Sequence, residues 1–324
     1  MTAADRSGVR FLGPRALVAL GHAAACLAAA CLAAACLAAP AIASANTTTS
    51  DNWSGYAAHG KGAQFKRVSA TWRQPSGSCA GAASYSAFWV GLGGYSLRSD
   101  ALEQIGTELD CTAGGGEKLF AWYELVPAAS RSIRMTVAAG DLIHASVSVT
   151  GEEVTFALTD RTRAETFTHT IAADKLDVSS AEWIAEAPSD CTSTNSSACK
   201  RLPLADFGSI GFASAKATTT TGTTGSISSS LWDTTRIVLG SSAGARFVSD
   251  TATGSAAATP SALTRGGHAF RVEFTGTASS SAGSTGTASS APGGSTGPPG
   301  GEPGSGGPSG SGAGPPASSA RESR

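Results

Sequence analysis

Short segments in which apolar and polar residues alternate, or in which β-branched and aromatic residues cluster, recur along the middle of the chain. They are Phe65–Arg73, Tyr85–Leu92, Leu119–Pro127, Ser132–Ala138, Leu142–Thr150, Glu153–Thr159, Thr166–Ile171, Ala181–Ala187, Ser209–Ala213, Arg236–Leu239 and Ala269–Phe274. Gly, Ser and Asp clusters such as Ala139-Gly140-Asp141 punctuate them. A period of two residues bounded by turn formers is the signature of a β-strand. No apolar pattern of helical period runs beyond two turns. The expected fold is all-β, an antiparallel sandwich of two large sheets.

The strand period also sorts side chains by face. Phe120, Trp122 and Glu124 share one face of their segment, and Glu182, Ile184 and Glu186 share one face of theirs. Trp89 points away from Phe88 and Val90. Tryptophan beside glutamate is unusual in a core, because a buried carboxylate needs partners. It suits a ligand groove, where aromatic walls hold a substrate and a few polar groups act on it. The competing reading makes Trp89 and Trp122 core residues and turns the glutamates to solvent.

Composition changes the picture at both ends of the 324 residues. Arg6, Arg10 and Arg15 precede an apolar, Ala-rich run from about Ala16 to Ala39, followed by Pro40 and Ala43-Ser44-Ala45. A basic start, an apolar stretch and a small-residue cleavage site describe a secretory signal over 1–45. The alternative is a membrane anchor, which Gly21-His22 and the weak hydrophobicity of alanine disfavour. From Gly276 to Arg324 everything except Glu302, Arg321, Glu322 and Arg324 is Gly, Ser, Pro, Ala or Thr. That tail has no apolar groups to offset the entropy of ordering, so 276–324 is expected to be disordered. One domain remains, over 46–275, in a secreted, extracellular, monomeric protein with no membrane association once the signal is removed. The formal charge is only −1 and there is no basic stripe, which excludes electrostatically driven nucleic-acid binding.

Cys26, Cys31 and Cys36 leave with the signal, and Cys79, Cys111, Cys191 and Cys199 remain. Four cysteines in an exported domain allow three disulfide pairings; Cys79–Cys111 with Cys191–Cys199 is the favoured one. Without CxxC or HExxH, and with only His59, His144, His169 and His268 in the mature chain, no metal or other cofactor is expected. Gly240-Ser241-Ser242-Ala243-Gly244, with Asp250 and His268 after it, matches a serine-hydrolase elbow in letters, but no helix follows to make one. Asn46, Asn52 and Asn195 head N-x-[ST] sequons.

One ordered series stands out. It comprises Asn52-Trp53-Ser54-Gly55-Tyr56, Ala70-Thr71-Trp72 ahead of Pro75, Phe88-Trp89-Val90-Gly91-Leu92-Gly93-Gly94, and Glu103-Gln104-Ile105-Gly106-Thr107. Ala121-Trp122-Tyr123-Glu124, Ala181-Glu182-Trp183-Ile184-Ala185-Glu186 and Ala205-Asp206-Phe207-Gly208-Ser209 complete it. The series resembles the eqolisins, the glutamic peptidases, over about residues 50–275. The resemblance implies a concanavalin A-like, lectin-like sandwich and a catalytic pair of one Gln and one Glu, here Gln104 and Glu186. It implies that Trp53, Trp89 and Glu124 line the substrate groove, with polypeptides as substrates, and Trp122, on the face of Glu124, is a further substrate-binding candidate. Three features depart from the family: Leu92 and Gly93 where an acidic residue is common, Leu125 and Val126 after Trp-Tyr-Glu, and a spacing that leaves the family's following aspartate without a clear counterpart at Asp110. A Glu can take a proton from water and return it to the leaving amine, while the Gln amide donates to the oxyanion. An unperturbed Glu titrates near 4.3, so activity is expected between about pH 3 and 5. Glu182, on the same face, is the second candidate for the carboxylate. The competing function is a carbohydrate-active protein, a glycosidase or sugar-binding module, with Glu124 and Glu186 as its carboxylates.

Overall fold

The structure, a computed structural model, describes residues 45–96, 99, 101–191, 199–240, 247–249 and 256–276. Those residues form strands and turns, with no helix among them. In chain order the strands are β1 (Asn46–Ser50), β2 (Trp53–His59), β3 (Phe65–Arg73), β4 (Ser84–Gly93), β5 (Leu102–Cys111), β6 (Glu117–Val126) and β7 (Arg131–Ile133). There follow β8 (Leu142–Thr150), β9 (Glu153–Asp160), β10 (Glu165–Ala172), β11 (Ser180–Glu186), β12 (Ser189–Cys191) and β13 (Cys199–Arg201). The last are β14 (Ser209–Thr219), β15 (Thr224–Gly225), β16 (Asp233–Gly240), β17 (Phe247–Ser249), β18 (Ala256–Pro260) and β19 (Phe270–Phe274).

Two large layers result. The front layer runs β7-β6-β5-β4-β11-β2-β16, and the back layer runs β10-β9-β8-β3-β14. β14 joins them: Ser209–Phe212 pair with β19, and from Ala213 onward the strand pairs with β3. The register slips between Ala213 and Lys216, where Ser214 takes a positive φ of 53°. One extra residue on one strand bends a sheet sharply, and here the bend carries the chain from layer to layer. Pairing is antiparallel throughout these layers, as expected of an antiparallel sandwich, while β1 runs parallel to β16 beside them.

Between the layers lies the main core, with Tyr56, Trp72, Phe88, Val90, Ile105, Phe156, Trp183, Phe207 and Phe212. A second, smaller apolar cluster sits on the other face of the front layer: Trp53, Ala57, Ala87, Trp89, Leu102, Trp122, Val126, Ile184 and Ile237. The front layer is thus buried on both faces, which explains how its strands depart from expectation. β3 and β8 match their predicted spans, and both belong to the back layer, one face of which meets solvent. β2 and β5 were not anticipated, because neither alternates: every position of β5 except Asp110 is buried. Ser132–Ala138 is a strand only to Ile133; beyond it the chain turns, and the Ala138 N–H is capped by the Asp141 carboxylate at 2.7 Å.

Cys79 and Cys111 form a disulfide with a Cα separation of 5.2 Å, tying the chain after β3 to the end of β5. The backbones of Cys191 and Cys199 pair directly across β12–β13, while their side chains lie outside the described residues. So do Asn195, Ser241 to Gly244, Asp250, the segment 1–44 and the segment 277–324.

Candidate active site

The registers of the front layer set its second face out as rows of side chains. One row reads Glu124, Gln104, Gly91, Glu182, Ala57 and Thr235 across β6, β5, β4, β11, β2 and β16. The next reads Trp122, Gly106, Trp89, Ile184, Gly55 and Ile237. A third holds Phe120, Glu108, Ala87, Glu186 and Trp53. All six residues assigned to the site from sequence therefore share one face. The alternative, with glutamates in solvent, fails: Gln104 and Glu186 are 0 % exposed and Glu124 is 1 %.

Glu186 is held from two sides. Asn52 Nδ2 donates to its Oε1 at 2.9 Å, and Trp89 Nε1 donates to its Oε2 at 2.7 Å. Such donors favour the ionised form of a carboxyl group. Asn52 is fixed by Ser50, whose Oγ donates to Asn52 Oδ1 at 3.2 Å and accepts from the backbone N–H of Trp53 at 3.1 Å. Trp53 packs edge to face on Trp89, ring centroids 5.1 Å apart, which fixes the indole that grips Glu186. The Trp89 ring runs along its strand from that carboxylate toward Gly91, where a β-carbon would lie 3.0 Å from its Cζ3. The indole thus spans the sheet surface between Glu186 and the row of Gln104.

Gln104 Nε2 donates to Glu124 Oε2 at 2.5 Å. A carboxylate can only accept, so this contact fixes which end of the amide carries the N–H groups. One N–H remains on Nε2, and Oε1 is buried without a hydrogen-bond partner. Trp122 Nε1 is likewise a buried donor without a partner. Between Trp122 and Trp89, Gly106 lets two strands close up: a β-carbon there would sit 2.1 Å from the Phe88 carbonyl oxygen.

At the other end of β11 the electrostatics reverse. Glu182 is completely buried and neither oxygen has a hydrogen-bond partner. Burial, with Asp177 and Glu103 adding negative charge, pushes its carboxyl well above the ordinary range, against the weaker pull of the Ser180 hydroxyl. Glu103 points the opposite way from Gln104, and burial drives it up to about 8, although its Oε1 accepts from the Asp177 backbone N–H at 3.2 Å. Burial also works to raise Asp177, but hydrogen bonds from Ser179, Ser99 and the Gly94 backbone outweigh it and hold that carboxyl low. Asp177 packs into the turn at Gly93, where a β-carbon would meet the Asp177 Cβ at 2.5 Å. A carboxylate from the segment before β11 thus fills the turn that carries no acidic residue of its own.

Sequence reasoning missed Asn52, which read as a sequon, and Glu108, which stands in the row of Glu186. Asn52 is 1 % exposed, so its sequon is one in letters only. Glu108 sits opposite Ala87 and Phe120 and is 6 % exposed, whereas Asp110 lies at the sheet end opposite Tyr85 and Lys118. Alternation with Gln104 at two-residue spacing was the available signal. The histidines take structural contacts: His59 with Thr235, His144 with Thr71, and His268 with the Ala215 carbonyl. Among the described residues no group of three or more His, Cys, Asp or Glu is placed to hold a metal ion.

The profile of the Peptidase A4 family matches residues 51–259. The chain belongs to that family. Aspergillopepsin-2 of Aspergillus niger is 28 % identical over 214 residues, 59 % of this chain and 72 % of that protein. The scytalido-glutamic peptidase, solved with a peptide-based transition state analogue, is 25 % identical and superposes with a TM-score of 0.55, over 69 % of this chain and 98 % of its own. SCP-B, an eqolisin solved with the tripeptide Ala-Ile-His, shares the fold at 24 % identity and a TM-score of 0.52, with the same 69 % and 98 % coverage. As a member of the glutamic peptidase family the protein is a hydrolase acting on polypeptides, and the β-sandwich expected from sequence is the family's fold. Family membership favours the peptidase expectation over the carbohydrate-active one.

Proposed function

We propose that the chain is a secreted endopeptidase that cleaves proteins at acidic pH with Glu186 and Gln104 as its catalytic pair. The observation that carries this reading is the contrast in their hydrogen bonding. Glu186 accepts from Asn52 and Trp89, the arrangement of an ionised base, while Gln104 is anchored through one N–H to Glu124 and keeps Oε1 and one N–H for other partners.

Glu186 takes a proton from water as the water oxygen bonds to the scissile carbonyl carbon. The carbonyl oxygen becomes an oxyanion, which accepts from the remaining Gln104 N–H; one such donor is worth roughly 3–4 kcal/mol of barrier. Glu186 then passes its proton to the amide nitrogen as the C–N bond breaks, releasing an acid and an amine. Trp53, Trp89 and Trp122 form an apolar wall for the bound chain, and Glu124 orients the glutamine. The pair is buried, so substrate entry requires this face to open, and hydrogen bonds formed after closure act in a dry site where they are stronger.

With the Asn52 and Trp89 donors favouring the carboxylate of Glu186, the enzyme is expected to act in the acidic range, between about pH 3 and 5. Residues 1–45 act as the export signal, 46–275 form the enzyme and 276–324 a tail, with the mature protein a monomer that binds neither nucleic acid nor membrane. A digest of casein or haemoglobin from pH 3 to 7 by wild type, Gln104→Ala and Glu186→Gln tests the reading. Both variants are expected to lose at least about 100-fold in kcat, with wild type insensitive to pepstatin and chelators. Undiminished activity in either variant, or a flat wild-type profile up to pH 8, overturns it.

A further inference from the structure

Glu182 is a costly residue that the chemistry above does not use. It is fully buried, and no well-formed hydrogen bond reaches either carboxyl oxygen; only the Ser180 hydroxyl, two residues away on the same face and itself without another partner, exerts a weak pull on it. A buried polar group without partners destabilises a fold by about 1–3 kcal/mol, and hydrophobic replacements of such groups often raise stability. The same face carries Ile184, Ala57, Trp89 and Leu102, among which a leucine would pack readily. Something other than folding accounts for an acid here.

Its position shows what. Glu182 and Gln104 flank Gly91 in a single row, on strands two apart, and where that glycine has no side chain of its own the edge of the Trp89 ring and Leu102 fill the space over it. Adjacent strands lie about 4.8 Å apart, so the backbones at Gln104 and Glu182 are about 10 Å apart. The first lies at the reacting bond and the second to its side. Gln104, Glu186 and Glu182 are equally inaccessible, so the opening that admits a peptide to the first two also reaches the third. We propose that Glu182, with Ser180, is a substrate-binding subsite that receives a main-chain amide of the bound polypeptide next to the scissile bond.

The carboxyl acts there in its uncharged form, with an O–H that donates to a peptide carbonyl and a C=O that accepts from a peptide N–H. The charged and titratable groups around it sustain that form: Asp177 and Glu103 add negative charge on one side, and Tyr95, which feels Glu182 in turn, is itself pushed up by burial. His59, stacked on Tyr95 at 4.3 Å, is pushed down by burial against the pull of Asp233. Because a side-chain amide offers the same donor and acceptor without charge, glutamine is the conservative replacement and leucine the disruptive one.

This inference rests on the Gln104 and Glu186 reading, and the experiment separates the two. Peptide hydrolysis at pH 4 is measured for Glu182→Leu and Glu182→Gln, with thermal melts of each. Binding of the same peptide to the Glu186→Gln protein, with and without Glu182→Leu, is measured by calorimetry. The expected result is a KM raised about tenfold with kcat within threefold for Glu182→Leu, its Tm equal to or above wild type, and KM restored in Glu182→Gln. In the Glu186→Gln background, Glu182→Leu weakens peptide binding by the same factor. Unchanged KM and binding in the leucine variant, or Tm lowered alike in both variants, overturns the subsite. Full activity in Glu186→Gln overturns the catalytic reading instead.

Discussion

Glu186 and Glu182 project from the same face of one strand, four residues apart, and their surroundings differ in kind. Glu186 receives an amide and an indole N–H; Glu182 has only the weak pull of the Ser180 hydroxyl and faces further carboxylates. Both are equally buried, so desolvation alone does not separate them. What separates them is the row each falls in. The row of Glu186 begins with Trp53, preceded by Asn52, and adjoins that of Trp89; the row of Glu182 offers Gly91 and Ala57, which have no donors on their side chains. One strand thereby presents a carboxyl group arranged for charge beside one arranged for neutrality.

The contrast is broken most severely by removing the charge at the donor-rich end. Glu186→Gln is expected to abolish peptide hydrolysis at pH 4, by at least about 100-fold in kcat, while Glu182→Gln leaves kcat within about threefold; equal losses would erase the distinction. Next comes the donor itself. Trp89→Phe keeps the ring against Trp53 but deletes the 2.7 Å bond to Glu186, and kcat at saturating peptide is expected to fall about tenfold, the size of one charge-assisted hydrogen bond. Asn52→Ala removes the other donor at 2.9 Å; a severalfold loss of kcat is expected in the same assay.

The smallest effect is on stability. Glu103, raised to about 8 by burial, binds its proton more tightly folded than unfolded. Its contribution is fully present below the unfolded value near 4.5 and is lost as pH rises to about 8. Asp177, held low, contributes in the opposite sense, but only as pH falls below its ordinary 3.8. The wild-type protein is therefore expected to melt at a lower temperature at pH 7 than at pH 5. Glu103→Gln, which can still accept from the Asp177 N–H, should flatten that slope in calorimetric scans, and an unchanged slope would refute the assignment.

The back layer was legible in the sequence because β8, β9 and β10 alternate between core and solvent, so period two survives in their residues. β5, which carries Gln104, was illegible as a strand: Glu103, Gln104, Thr107 and Glu108 are all buried, and a strand with polar residues on both buried faces shows no period. Gln104 was found through the motif around it. Asn52 stood in the motif Asn52-Trp53-Ser54-Gly55-Tyr56 but was given no role, because its contact with Glu186 is made only in the folded chain. Alternation could place Glu108 on the face of Gln104, but its significance depends on Ala87 lying between it and Glu186.

By itself the sequence determined the class of the fold and which side chains share a face within one strand, Trp122 with Glu124 and Glu182 with Glu186, because alternation along one strand is a local property of the backbone; it favoured the Cys79–Cys111 link among three pairings, and the structure contains that link. Only the tertiary structure decided which of these residues meet. Distances between strands follow from register, and register brings Asn52 to Glu186 across 134 positions and leaves Glu182 alone across from a glycine. The donors around a carboxyl group set whether it is charged, and those donors come from other strands.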